Sequence, residues 1–277
     1  MHDMPNGIGL GFRIGIADAI LSCDLPELRW LEVHPENYVA RGGRFAHLLS
    51  QARERYPLIT HGLTLGVGAI DPPDAEYLQA LRAFLAEIGT PFHSEHLCFS
   101  GSEGAMLHDL LPVPFNEEAV LHSAGRIRAL RDALGLPIAI ENVSYYADPA
   151  PPEMTEPEFV CRVLQEADAK LLLDVNNVWV NAYNHGFDAR TYIDQMPMER
   201  VVQIHVAGHF TRDDGLIIDT HGEAVRDEVY ELLEYTLEKT GPMPVLLERD
   251  QNFPPFEELA AEVRRLDTIY RRATGEA

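Results

Sequence analysis

Eight short runs rich in Leu, Ile and Val recur along the 277-residue chain, at 8–12, 30–34, 58–61, 92–97, 138–141, 171–174, 201–206 and 245–248. They are short, without a polar face, and separated by longer segments whose apolar residues follow helical spacing. A strand that is apolar on both faces must be covered on both faces, the condition of a parallel sheet flanked by helices. Eight such strands, each followed by a helix, predict a (β/α)8 TIM barrel rather than an open doubly wound sheet. The helices carry their own signals. Asn116 stands where an N-cap belongs, with Val120, Leu121, Ala124, Ile127, Leu130 and Leu134 behind it as an apolar stripe. A second stripe, Val229, Leu232, Leu233 and Leu237, ends at Gly241, a helix-stopping residue. A last helix carries Leu259, Val263, Leu266 and Ile269 on one face. No linker or change of composition divides the chain, so a single domain over 1–277 is expected. Residues 147–152, with three prolines, read as a loop above a strand end.

Each apolar run ends in residues that a core excludes. His61 closes the third run, His96 the fourth, Glu141 the fifth, Asp174 the sixth and Glu248 the eighth, and His205 stands near the end of the seventh. In a barrel all these ends open at one mouth. Asp219 and His221 join them from a later segment; two apart in an extended chain, they would face the same way. Any one of these residues has a simpler structural reading. A histidine can be a hydrogen-bonded core residue, an aspartate can cap the next helix, and Asn176-Asn177 can make a turn. The set resists that reading. Four carboxylates and four imidazoles around one opening repel or stay unsatisfied unless a cation sits among them. Mixed imidazole and carboxylate suits Fe, Zn or Mn, and the lack of a cysteine pair argues against a closed structural zinc site. Glu141 and Glu248 each have two oxygens with which to bridge two ions. His34, Glu36, Asn37, Asn142, Asn176, His209 and Asp250 lie close to the same strand ends in sequence and are expected to support the ligands or touch substrate.

Composition removes several function classes. Forty-four acidic against twenty-two basic residues leave a formal charge of −22, which repels nucleic acid, and no basic cluster offsets it. No run of eighteen apolar residues exists, and residues 1–5 lack the basic-then-apolar pattern of a secretory signal, so neither membrane nor export is expected. Cys23, Cys98 and Cys161 are odd in number and far apart, the pattern of reduced thiols in a cytoplasmic protein.

The order His61, His96, Glu141, Asp174 with Asn177 three residues on, His205, Asp219-Thr-His221 and Glu248 resembles the trinuclear site of the endonuclease IV group of xylose isomerase-like barrels. Asn177 stands where that group has a histidine. A closer likeness spans nearly the whole chain. Gly9-Leu-Gly-Phe-Arg13, Leu31-Glu-Val-His-Pro-Glu-Asn-Tyr38, Ser94-Glu-His-Leu-Cys-Phe99 and Glu141-Asn-Val-Ser-Tyr-Tyr146 are similar to motifs of the multinuclear non-haem iron-dependent oxidases. Leu173-Asp-Val-Asn-Asn177, Gln203-Ile-His-Val-Ala-Gly-His209, Ile218-Asp-Thr-His221 and Leu247-Glu-Arg-Asp250 continue it in order, and the Asn-Asn pair belongs to that pattern.

The resemblance implies an iron enzyme that uses O2 to modify residues, commonly cysteine, in a ribosomally made precursor peptide, as in methanobactin biosynthesis. It further implies a separate partner protein that recognises the precursor's leader, and two or three irons per chain as Fe(II) and Fe(III), with zinc able to take the same ligands. On this reading His61, His96 and Glu141 hold one ion, and Glu141, Asp174, His205 and Glu248 a second. Asn177, Asp219 and His221 hold a weaker third. The residues alone leave three alternatives: a metal-dependent sugar isomerase or epimerase, a metal-dependent phosphodiesterase, and a non-catalytic metal-binding barrel.

Overall fold

The computed structural model describes residues 4–102, 105–147 and 151–276. The chain runs β1 (Gly7–Gly11), α1 (Ala17–Ser22), β2 (Leu28–Val33), α2 (Arg44–Arg55), β3 (Leu58–His61), α3 (Ala75–Ile88) and β4 (His93–His96). A hairpin of β5 (Cys98–Ser102) and β6 (Ala105–Pro112) follows, then α4 (Glu117–Leu134), β7 (Ile138–Glu141), α5 (Glu156–Ala167) and β8 (Lys170–Asp174). Next come α6 (Val175–His185), α7 (Ala189–Gln195), β9 (Val201–Ala207) and a second hairpin, β10 (His209–Thr211) with β11 (Ile217–Asp219). The chain ends with α8 (Asp227–Thr240), β12 (Pro244–Glu248) and α9 (Phe256–Thr274).

The eight expected strands form a closed, all-parallel barrel in the order β1-β12-β9-β8-β7-β4-β3-β2. Two hydrophobic clusters divide the interior. The larger lies between the strands and the helices that cover them. The smaller holds Trp30, Ile59, Phe92, Ala139, Leu172 and Leu246, side chains from six barrel strands or the residues just before them, and plugs the barrel. Trp30 donates from its indole N–H to Gly7 O at 3.0 Å. A Cβ on Gly9 would lie 2.3 Å from the Trp30 ring, so β1 makes room for the plug by having no side chain there. Strand side chains alternate with a period of two. Two residues beyond the plug, the same strands therefore turn Glu32, His61, Ser94, Glu141, Asp174 and Glu248 into the interior. The apolar plug becomes the floor of a polar layer.

The helices follow the expected stripes with one correction. Asn116 caps α4, accepting from the Ala119 N–H, and Val120, Ala124, Ile127, Leu130 and Leu134 are buried. Leu121, expected on that stripe, is 54% exposed. It lies about 100° around the helix from Val120, beyond the face that meets the barrel. Gly241 ends α8 with φ 72°. The two hairpins and the split of one helical connection into α6 and α7 were not anticipated. The expected loop at 147–152 lies partly outside the described residues, which omit 148–150. Among the described residues, no helix is long and apolar enough to cross a membrane.

Candidate metal centre

His61, His96 and Glu141 meet at the ends of β3, β4 and β7. His61 Nε2 lies 3.2 Å from Glu141 Oε2 and 3.2 Å from His96 Nε2, and His96 Nε2 is 3.5 Å from the same carboxylate oxygen. Ser94 sets the tautomer. Its hydroxyl donates to Thr60 O and sits 2.9 Å from His61 Nδ1, which leaves the lone pair of Nε2 facing the mouth when Nδ1 carries the proton.

A second group shares Glu141. The ligand atoms of Glu141, Asp174, His205 and Glu248 lie within 4.8 Å of one another, and all four residues are buried. His205 Nδ1 is 3.1 Å from Glu248 Oε2 and 3.9 Å from Glu141 Oε1. Asp174 has two roles. Its Oδ1 caps α6 by accepting from the Asn177 N–H at 2.6 Å, while its Oδ2 makes no hydrogen bond among the described residues. Glu141 Oε2, His205 Nδ1 and Glu248 Oε2 are likewise buried without a hydrogen bond of good geometry. Buried polar atoms are nearly always satisfied, so four of them left over in one buried cluster of carboxylates and imidazole fit a cation. The donor set also fits, being nitrogen and oxygen only.

Electrostatics point the same way. Burial drives the Glu141 pKa well above that of a free glutamate. It raises Asp174 to about 7, helped by Asp219. His61 is pushed well below the usual imidazole value by burial and by neighbouring His96, and burial takes His96 down to about 4. Burial opposes the charged form of His205, yet Glu32 and Glu248 raise its pKa well above normal. Without a cation Glu141 and Asp174 hold their protons, while His205 and His221 keep Glu248 ionised against burial; a divalent cation would let all three carboxylates ionise and the imidazoles coordinate.

His221 belongs to a third group with Glu248 and Asp250. Its Nδ1 is 3.4 Å from Glu248 Oε2 and 3.2 Å from Asp250 Oδ2, and its Nε2 is 2.9 Å from Asp219 Oδ1. The pair Asp219 and His221 does converge, but not along an extended segment: β11 ends at Asp219, and His221 turns with φ 47°. Asp219 is held from the other side by Asn176 Nδ2 at 2.8 Å, and Asn176 Oδ1 lies 2.9 Å from His209 Nδ1. Asn177 donates from Nδ2 to Asn142 O, with its buried Oδ1 left without a hydrogen bond. Asn142 clamps two strand ends, donating to Asp174 O and accepting from the Asp174 N–H, both at 3.0 Å.

Others take different places. His34 Nδ1 is 2.9 Å from His61 O, and the ring joins Glu32 and Glu248 in a further group of potential ligands. Glu36 anchors the connection after β3, accepting from Leu63 N, Thr64 Oγ1 and Tyr77 OH. Asn37 ends the short turn Pro35–Asn37, its N–H donating to His34 O. Asp250 accepts from Arg13 Nε at 2.6 Å; burial opposes its charge, but the guanidinium holds the carboxyl well below the usual range.

Two residues of the site were not singled out from sequence. Arg13 also donates to Glu248 Oε1 at 3.2 Å and so ties two carboxylates of the third group. Glu32, fully buried, lies 2.9 Å from His205 Nε2. A signal for Glu32 was present: it stands two residues after the plug residue Trp30 and two before His34, on the interior phase of β2.

The closed parallel barrel, with histidine and carboxylate gathered at the strand ends, defines a (β/α)8 TIM barrel with a candidate metal site in its mouth. Solved structures of that shape cover nearly the whole chain. An L-ribulose 3-epimerase superposes with TM-score 0.63 at 12% identity, over 98% of this chain and 97% of that one. A xylose isomerase domain protein from Planctomyces limnophilus gives 0.61 at 13%, over 98% and 99%. At such identities the likeness is one of fold. The chain belongs to the family described as RiPP precursor modification enzyme MbnB/TglH/ChrH, which residues 7–271 match. Curated relatives include a UPF0276 protein of Acinetobacter baylyi, 45% identical over 97% of this chain and 92% of its own length. Another, from Haemophilus influenzae, is 42% identical over 96% and 95%.

Proposed function

We propose that this protein is a multinuclear non-haem iron oxidase that uses O2 to modify cysteine in a ribosomally made precursor peptide, presented by a separate leader-recognising protein. The observation that carries the reading is the sharing of carboxylates: Glu141 belongs to two ligand groups, and Glu248 to three. Shared carboxylates hold ions as a cluster rather than singly. His61, His96 and Glu141 would hold one ion and Glu141, Asp174, His205 and Glu248 the next, with His221 and Asp250 offering a third position beside Asp219 and Asn177. Bound iron supplies the redox chemistry by which O2 oxidises the substrate residue. The chain's own part is to hold the ligands rigid, through Ser94, Asn142 and Arg13, and to receive the peptide. Leu63, Tyr146 and Phe210 are exposed on connections that leave the C-terminal ends of β3, β7 and β9, an apolar rim suited to a peptide.

The family match supports a peptide substrate, and the nitrogen and oxygen ligands leave room for a substrate thiolate as a soft donor. The epimerase likeness is one of fold and carries no sugar chemistry to this chain. The test is oxygen uptake and mass spectrometry with a candidate cysteine precursor and a candidate leader-recognising protein. Iron-loaded protein is expected to consume O2 and change the peptide's mass, with no change under anaerobic conditions or when the substrate cysteine is serine. Turnover without O2 would overturn the oxidase reading, and fewer than about one metal per folded chain would overturn the metal centre.

A further inference from the structure

We infer that Glu32 is a positioning residue: it reaches across the barrel to hold His205 with its Nδ1 turned toward Glu141, Asp174 and Glu248. The inference rests on the metal-centre reading above. Glu32 lies on β2 and His205 on β9, with β1 and β12 between them in the barrel. The interior positions of β1 are Gly9 and Gly11, so no side chain of that strand stands in the way. Glu32 and His205 are both fully buried, and Glu32 Oε2 is 2.9 Å from His205 Nε2. Gln203, two residues before His205 on the same strand, donates to the same oxygen from Nε2 at 2.7 Å, and that nitrogen also lies 2.7 Å from His205 Nε2.

A neutral imidazole has one N–H and one lone pair. A ring whose Nδ1 coordinates a cation must carry its proton on Nε2, and in a fully buried place that proton needs an acceptor. Glu32 Oε2 stands where the acceptor is needed. The carboxylate does for His205 what the Ser94 hydroxyl does for His61, but with a charge that also raises the basicity of the coordinating nitrogen. A competing role is visible on the same side chain. Glu32, His34 and Glu248 have ligand atoms within 4.8 Å of one another, which makes Glu32 a candidate ligand itself. Against that, Glu32 Oε2 already lies within hydrogen-bond distance of two groups, Gln203 Nε2 at 2.7 Å and His205 Nε2 at 2.9 Å.

The experiment is an anaerobic Co(II) titration of the full chain, followed by visible absorption and calorimetry, in wild type and Glu32→Gln. A His96→Ala reference, which strips the His61, His96 and Glu141 set, identifies the band of the ion held by His205. The expected result is an unchanged number of ions, with affinity at the His205 position about 10- to 100-fold weaker and its band shifted, while the other ion is unaffected. Loss of one whole ion overturns the proposal in favour of Glu32 as a ligand. Affinities equal to wild type overturn it as well. If Glu32→Gln fails to fold, Glu32→Asp carries the test: it keeps the charge but shortens the reach across the barrel, and weakening confined to the His205 position is expected. No change in either variant would overturn the proposal. A wild-type chain that binds no cobalt sinks the metal centre and this inference together; cobalt binding with identical variants sinks this inference alone.

Discussion

Glu141 faces two histidine sets at once, with Oε2 3.2 Å from His61 and Oε1 3.9 Å from His205. An amide at this position carries no charge and bridges poorly. Glu141→Gln is therefore expected to lose metal and turnover while the barrel stays folded, with little change in Tm at matched metal content. Elemental analysis beside a melting curve decides it; full metal and full turnover in the variant would remove Glu141 from the ligand set. Glu156 shows the same kind of burial without a metal role. Burial raises its pKa from 4.5 to about 7, although the Tyr192 hydroxyl, 3.0 Å away, favours the charged form. A folded-state value above the unfolded one gives stability that is complete below about pH 4.5 and is lost as pH rises through 7. Glu156→Gln does not titrate, so its Tm advantage over wild type is expected to grow from pH 5 to pH 8, worth on the order of 3 kcal/mol at most. A pH-independent difference in thermal melts would show that Glu156 does not titrate there.

Among the elements, β1 is the most constrained by what it lacks. Gly9 leaves the space that the Trp30 ring fills, and the indole is pinned in place by Gly7 O. Because Trp30 has nowhere to retreat, Gly9→Ala is expected to cost about 1–3 kcal/mol through overpacking. Urea denaturation measures it, and a neutral result would mean the plug is loosely packed. The strand-to-helix junction at the end of β8 shows the other side of the balance. Asp174 serves α6 as its cap with one oxygen and the centre with the other, so helix and site share one carboxylate.

The whole barrel closes so that Glu141, Asp174 and Glu248 face one another in its mouth. Three carboxylates in a buried place cost stability unless protonated or matched by cations. Metal removal is therefore expected to lower Tm, and reloading to restore it. At a free metal concentration about 100 times the Kd the gain is about 2.7 kcal/mol. Melting curves of metal-loaded and chelated protein check this, and equal values would mean that the carboxylates are not compensated by metal.

The strands and their polar ends were legible in the sequence because both depend on local order. A run such as Leu171–Leu173 followed by Asp174 states its own period, its burial and the place where burial stops. The ligand candidates stood out because imidazoles and carboxylates are foreign to such runs. Leu121 was misread because a stripe written along a sequence does not show how wide a face the barrel covers. The hairpins β5–β6 and β10–β11 are short and pair only with themselves, so no period announces them. Glu32 and Arg13 were not singled out, although both sit in quoted motifs, because their roles depend on residues far away in the chain: His205 for Glu32, and Glu248 and Asp250 for Arg13. Only closure brings β2 to face β9 across two glycines of β1, and only closure decides that His221 turns to Glu248 and Asp250. Local periodicity determined which residues reach the mouth; the geometry of a closed barrel, in which strands distant in sequence become opposite walls, decided which of them meet.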